Sequence, residues 1–379
     1  MKNNLALYIH IPFCKSKCAY CSFISFPAGK EVMENYIDAL VSEILLTSKT
    51  YKNKKVDTIF LGGGTPSFLP VGSILKIMSA VKQNFDVASK AEITIECNPD
   101  SITKEKLQEY KMAGINRISI GFQSASDRLL KLLNRPHTKE EFLNALALVK
   151  ETKFENINAD LMLGLPTQSL RDLKASIRLL IKQKVTHISV YDLILEEGTP
   201  LYNKVKSHEY KEISEKLNLK MQNYVLKALK KAVFKRYEVS NYAKEGYECK
   251  HNLKYWDLDD YLGIGLAAHS KIGNTRFNNT EVLDTYLKNI ENKKLEYEEL
   301  IELTIEEQKE EFIMLGLRKT IGIDLTEYSK LFNENLIKLK QKAVEEFLIK
   351  GFIRFNGTFM YLTEKGMQVL NKIVLELTS

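Results

Sequence analysis

Cys14, Cys18 and Cys21 stand in one short loop with C-x3-C-x2-C spacing, directly after an apolar, β-branched run. A structural zinc site normally closes with four ligands, and no fourth Cys or His follows at zinc-finger spacing. Three thiolates in one loop suit a cubic iron–sulfur cluster instead: they bind three irons and leave the last open to an exchangeable ligand. A second group, Gly62-Gly63-Gly64-Thr65-Pro66-Ser67, follows another apolar run. Residues without side chains let backbone N–H groups approach the amino-acid part of a ligand. Glu96 ends a third run as an acceptor suited to ribose hydroxyls or an ammonium group, and Gln123 and Asp160 end a fourth and a fifth.

Such groups need strand ends to hold them. Short β-branched runs predict strands over Leu5–Ile11, Val56–Leu61, Glu92–Glu96, Arg117–Phe122, Ile157–Leu163 and His187–Leu193. Amphipathic stretches fill the gaps, beginning with Glu31–Ser48 and Val71–Asn84. Strand–helix alternation forces parallel pairing with right-handed crossovers, and no GxGxxG opens the first helix. The fold class expected is therefore α/β, a partial or full parallel β/α barrel whose chemistry sits at the carboxyl ends of its strands. This barrel is assigned to residues 1–235 and an aromatic-rich connector with extra strands to 236–300. Residues 301–379 are read as a smaller helical, winged-helix-like domain, with helices over Thr304–Thr320, Leu325–Phe332 and Leu336–Lys350 and a hairpin at Asn356-Gly357.

The chain has 379 residues, a length that suggests about two domains. Its 44% hydrophobic and 27% charged residues are those of a folded globular protein, which excludes disordered and collagen-like classes. Five cysteines, three of them in one loop, are no disulfide framework. The net charge of +7 is interrupted by Glu306-Glu307 and Glu310-Glu311, and Leu336–Lys350 mixes Lys with Glu, so no nucleic-acid partner is expected. No apolar stretch is long enough to span a membrane. Met1-Lys2-Asn3-Asn4 leads straight into a strand-like run, so no signal peptide is expected and the location expected is cytoplasmic.

The cysteine loop resembles that of the radical S-adenosylmethionine enzymes, in which the methionyl amine and carboxylate chelate the open iron. Tyr8-Ile-His10-Ile-Pro-Phe-Cys14, the glycine run, Glu96-Cys97-Asn98-Pro99-Asp100 and Gly121-Phe122-Gln123-Ser124 are similar to the oxygen-independent coproporphyrinogen III oxidase family. So are Asp160-Leu-Met-Leu-Gly164-Leu-Pro166 and Glu197-Gly198-Thr199-Pro200. The resemblance spans nearly the whole chain. It implies a [4Fe-4S] cluster on Cys14, Cys18 and Cys21, and S-adenosylmethionine contacts from Tyr8, Gly63, Gly64, Thr65, Glu96, Gln123, Arg135 and Asp160. From its surroundings alone, Asn134-Arg135-Pro136-His137, Arg135 could equally be a solvated helix terminus.

Within that family the oxidases carry a fourth cysteine two residues after the third and an extended amino-terminal arm. This chain has Phe23 at that position and 13 residues before Cys14. Both departures resemble the haem chaperone branch, which implies binding of haem and its delivery to acceptor haemoproteins, respiratory-chain proteins at the membrane among them. Cys249-Lys-His251-Asn252-Leu-Lys-Tyr255-Trp256, an HNxxYW element with the only tryptophan, is similar to one in that branch. It implies haem contacts from His251, Asn252, Tyr255 and Trp256. Imidazole and thiolate both ligate haem iron, so Cys249 and His269 compete with His251 for that role. A single His beside aromatic residues is also often a hydrogen-bonded core group. The rival expectation is the oxidase itself, or a radical enzyme with another substrate.

Overall fold

The computed structural model describes residues 4–379; Met1, Lys2 and Asn3, on which the expectation of no signal peptide partly rests, lie outside the described residues. Six strands form the centre: β1 (Asn4–Ile11), β2 (Lys55–Gly63), β3 (Asp86–Cys97), β4 (Arg117–Gln123), β5 (Asn156–Leu163) and β6 (His187–Asp192). They pair in sequence order and all in parallel, as strand–helix alternation requires. Glu92–Glu96 proves to be the end of a longer strand, whose first residues are mostly polar or small and carry no apolar signal.

Each strand alternates between two environments. Ile9, Ile59, Ile95, Ile118, Ile120, Leu161 and Ile188 join the main core with the connecting helices, and a fully buried side chain of this kind contributes about 1.5–3 kcal/mol. The intervening positions are polar or small: Thr58 and Gly62 on β2, Thr94 and Glu96 on β3, Arg117, Ser119 and Gly121 on β4, Asn158 and Asp160 on β5, His187 and Ser189 on β6. Period-two alternation sends this second set to the inner face of the half-barrel. Thr138 with Glu141 and Ser169 with Asp172 form capping boxes that start the helices Lys139–Glu151 and Leu170–Lys182.

The sheet continues past both ends of this array. After β6, β7 (Lys235–Arg236) and β8 (Asn241–Ala243) add antiparallel strands. On the other edge β9 (Tyr261–Ile264) pairs parallel with β1, and β10 (His269–Ile272), β11 (Thr275–Asn279) and β12 (Tyr297–Glu302) follow antiparallel. The twelve-stranded sheet stays open, with β12 and β7 at its ends, so the barrel is partial. Residues of the connector thus complete the same sheet.

The carboxyl-terminal unit has its own core around Phe312, Leu317, Tyr328, Phe347, Ile353 and Ile373. Its helix Ile305–Gly316 starts at a Thr304–Glu307 capping box. β13 (Ile323–Asp324), β14 (Ile353–Asn356) and β15 (Phe359–Leu362) form a small antiparallel sheet in the order β13-β15-β14, which completes a winged-helix arrangement. The helix expected over Leu336–Lys350 breaks in two at Lys340.

Candidate functional site

The cysteine loop leaves the end of β1 and is tied down on every side. Cys14 N–H donates to Phe26 O at 3.1 Å and Phe26 N–H to Pro12 O at 2.9 Å. The Phe13 ring meets Phe26 and Tyr36 edge-on. Ala19 N–H reaches Leu133 O at 2.9 Å, and Asn134 Nδ2 donates to Lys17 O at 2.9 Å. The thiol of Cys14 accepts from Thr65 Oγ1 at 3.4 Å and that of Cys18 from Arg135 Nη1 at 3.3 Å. Burial pushes the Cys14 and Cys21 thiols up, so a metal bound there would have to draw the proton off. Among the described residues no three Cys, His, Asp or Glu side chains crowd round a single ion position.

All three cysteines and all eight residues implied for S-adenosylmethionine line one cavity of about 500 Å³. Arg135 is no solvated terminus: Nη2 donates to Asn98 Oδ1 at 2.5 Å and Gly121 O at 3.1 Å, and its buried Nε has no partner among the described residues. Asp160 sits mid-strand, opposite Gly121 and Ser189, rather than at a strand end. Asn158 Nδ2 at 2.8 Å and Ser119 Oγ at 3.3 Å hold its carboxyl oxygens. Gln123 closes β4 with a positive φ of 60°. Tyr8 bonds His10 Nδ1 at 3.0 Å, and His10 Nε2 contacts Ile24 O at 3.0 Å, which links the inner wall to the cysteine loop.

The glycine run also has a packing role of its own. Its backbone N–H groups are already spent, Gly63 on Glu96 Oε2 at 3.1 Å, Gly64 on Ile11 O at 2.8 Å and Thr65 on Phe13 O at 2.8 Å. Gly63 has φ +110°, and a Cβ there would lie 2.5 Å from the His10 ring; at Gly64 it would meet Phe13 O at 2.7 Å and Cys14 Sγ at 3.0 Å. The glycines therefore bring β2 against the cysteine loop.

Glu96 gives this wall a pH dependence. Burial and the nearby Asp160 push its carboxyl up to about 8, against the Gly63 N–H and the Arg117 charge. A cationic ligand facing Glu96 favours the carboxylate, so binding below that value must expel a proton. S-adenosylmethionine affinity is expected to rise as pH increases toward 8, by up to about tenfold per unit, and then level off. Calorimetry across that range checks it, and a Glu96→Gln variant whose profile is equally steep would assign the titration to another group.

The HNxxYW element is the helix Lys250–Trp256, and Glu92 on β3 fixes its start. Glu92 accepts from Lys250 N and His251 N, each at 3.1 Å, and from Cys249 Sγ at 3.6 Å. His251, Asn252 and Tyr255 line the cavity. Both ring nitrogens of His251 are engaged, Nδ1 with Thr58 Oγ1 at 3.0 Å and Nε2 with Tyr255 OH at 2.9 Å, and burial lowers its pKa to about 3. Trp256 lies on the other side, where the Arg318 guanidinium stacks on it at 5.3 Å, and it does not line the cavity. Cys249 is buried beside Glu92, and His269 is exposed at the start of β10; neither lines the cavity.

Several residues that shape the site escaped the sequence reading. Asn98 joins Arg135 to Thr65, its Nδ2 donating to Thr65 Oγ1 at 3.1 Å. His187 bridges Asn158 Oδ1 at 2.6 Å and Tyr237 OH at 2.8 Å, beneath Asp160. Arg117 is 2% exposed, lines the cavity, and its Nε has no partner among the described residues. The signal was polar residues recurring at period two inside apolar strands.

Comparison with known proteins agrees with this geometry. The Radical SAM superfamily profile matches residues 8–180 and the HemN C-terminal domain profile residues 303–369. The "Heme chaperone HemW" of Bacillus subtilis (strain 168) is 35% identical over 367 residues, 97% of each chain. That of Escherichia coli (strain K12) is 33% identical over 379 residues, 98% of this chain and 97% of its own. A mouse (Mus musculus) mitochondrial relative, "Radical S-adenosyl methionine domain-containing protein 1", is 32% identical and covers 98% of this chain and 87% of its own. The solved structure of the coproporphyrinogen III oxidase HemN from Escherichia coli superposes with a TM-score of 0.87 over 99% of this chain and 90% of its own, at 22% identity, a likeness of fold. With relatives of this closeness along almost its entire length, the chain belongs to the HemW family of the radical SAM superfamily.

Proposed function

We propose that this protein is a haem chaperone: it binds haem and passes it to acceptor haemoproteins, with a [4Fe-4S] cluster and S-adenosylmethionine as resident cofactors. The observation that carries the reading is Phe23. It occupies the place of the oxidases' fourth cysteine and stands 68% exposed at the cavity that the cluster loop lines. The names of the relatives from B. subtilis and E. coli support the same reading.

Cys14, Cys18 and Cys21 would hold the cluster, whose open iron supplies a chelation point for the methionyl amine and carboxylate. The chain's own residues do the rest. Arg135 faces the cluster side, its Nη1 donating to Cys18 Sγ. Glu96 and Asp160 place carboxyl groups on the inner wall for the ligand's cationic and hydroxyl groups, and Asn158 and Ser119 fix the orientation of Asp160. No helix among the described residues is long and apolar enough to cross a membrane. We place the protein in the cytoplasm, meeting membrane-bound respiratory acceptors at their surface.

The test pairs two anaerobic measurements on the reconstituted protein. Haem titration is expected to show saturable binding, and incubation with coproporphyrinogen III, S-adenosylmethionine and a reductant no product. Protoporphyrinogen formed at a catalytic rate would move the protein to the oxidase reading.

A further inference from the structure

The cavity opens beside the cluster loop, and several of the side chains that solvent reaches at its mouth are apolar or aromatic. Phe23 and Ile194 are each 68% exposed and Tyr191 is 41% exposed, and all three line the cavity. They come from separate places: Phe23 from the loop after β1, Tyr191 from β6 and Ile194 from the segment after it. The two edges of the six-strand array thus present apolar side chains to one opening. Exposed apolar groups gathered in this way mark a binding surface.

Charge around the opening is uneven. On the cluster loop Lys15 is held by Asp100 at 3.2 Å, whereas Lys17, also exposed, has no ion pair among the described residues. On the β6 side Asp192 and Glu196 are exposed and line the cavity. A flat apolar molecule carrying carboxylates is therefore accepted in one orientation, with its acids toward Lys17. Size points the same way. An interior of about 500 Å³ encloses one drug-sized ligand, and its polar inner wall suits a nucleoside. A second, larger ligand is left with the mouth.

We propose that haem seats on this mouth, its macrocycle against Phe23, Tyr191 and Ile194 and its propionates toward Lys17, with no ligation by His251. The inference rests on the chaperone reading and adds where the cargo sits. His251 could bind iron only by surrendering Thr58 or Tyr255; the mouth needs no such rearrangement. A seat on the rim also leaves the outer face of the haem open to an acceptor.

Ferric haem, followed by its Soret absorbance, is titrated into the anaerobically reconstituted full chain with S-adenosylmethionine present. Phe23→Ala combined with Ile194→Ser is expected to weaken haem binding about tenfold or more. Lys17→Glu is expected to weaken it about threefold to tenfold, with the loss shrinking at high salt. Cluster absorbance and S-adenosylmethionine affinity stay unchanged in all of these, and His251→Ala stays within about threefold of the parent for haem. Three results would overturn the seat while leaving the chaperone reading intact: a double variant within about twofold of the parent, loss of haem binding in His251→Ala alone, or mutual exclusion of haem and S-adenosylmethionine. No saturable haem binding by the unmodified chain would overturn the chaperone reading, and the seat with it.

Discussion

Alanine at Cys14, Cys18 or Cys21 is expected to abolish the iron–sulfur absorbance after anaerobic reconstitution, whereas Cys97→Ala and Cys249→Ala keep it. Each loop thiolate would be the sole protein donor to its iron, so one loss would leave a two-point attachment, and cluster content should fall to about one-tenth or less. Cys97 lines the same cavity and is the natural competitor. Yet it is 3% exposed, and burial pushes its thiol up to about 12. Cys249 is equally removed, fully buried against Glu92. Iron and sulfide analysis of the five variants decides the matter. A Cys97→Ala protein as depleted as Cys18→Ala would mean that the cluster draws on β3 as well as on the loop.

The second large effect is predicted for Glu92→Ala. This one side chain accepts from two backbone N–H groups and a thiol at the start of the HNxxYW helix, and it lies near the buried Arg117. Removing it strands buried donors and takes away part of the counter-charge for a guanidinium that cannot reach water. The expected cost is about 3 kcal/mol, seen as a fall of several degrees in thermal midpoint. Glu92→Gln keeps an acceptor oxygen but no charge, and should fall between. Circular dichroism melting checks both; an unchanged midpoint for Glu92→Ala would show that water replaces the carboxylate there.

Local chemistry was legible in the sequence and long-range geometry was not. Cys14, Cys18 and Cys21 are close in the chain, so their spacing alone suggested a shared cluster, and short apolar runs such as Arg117–Phe122 marked the parallel strands. Arg135 stayed ambiguous because its partners, Cys18, Asn98 and Gly121, come from three other segments. Asp160 was placed at a strand end although it lies mid-strand, because an acid in an apolar run looks like a terminus until the polar inner face is seen. The glycines were expected to serve a ligand, and their crowding against His10 and Cys14 follows only from β1 and β2 pairing in register. The individual strands β9 to β12 are short and interspersed with polar residues such as Lys271, Asn278 and Glu299, so they left no clear apolar period.

The pairing of β9 with β1 has a consequence for how the chain is made. The strand that carries the cluster loop has β2 on one side and β9 on the other, and β9 lies some 250 residues downstream. During synthesis β1 therefore remains an open edge, with unpaired backbone groups and reduced thiols at its tip, until Ile264 has left the ribosome. Open edges template pairing with other chains, and contacts between distant residues form late. A fragment cut after β6 would keep the six-strand array and Cys14, Cys18 and Cys21, and still present this first strand to aggregation. The soluble unit for expression, and for loading iron without oxygen, runs at least through the edge strands that follow the HNxxYW helix.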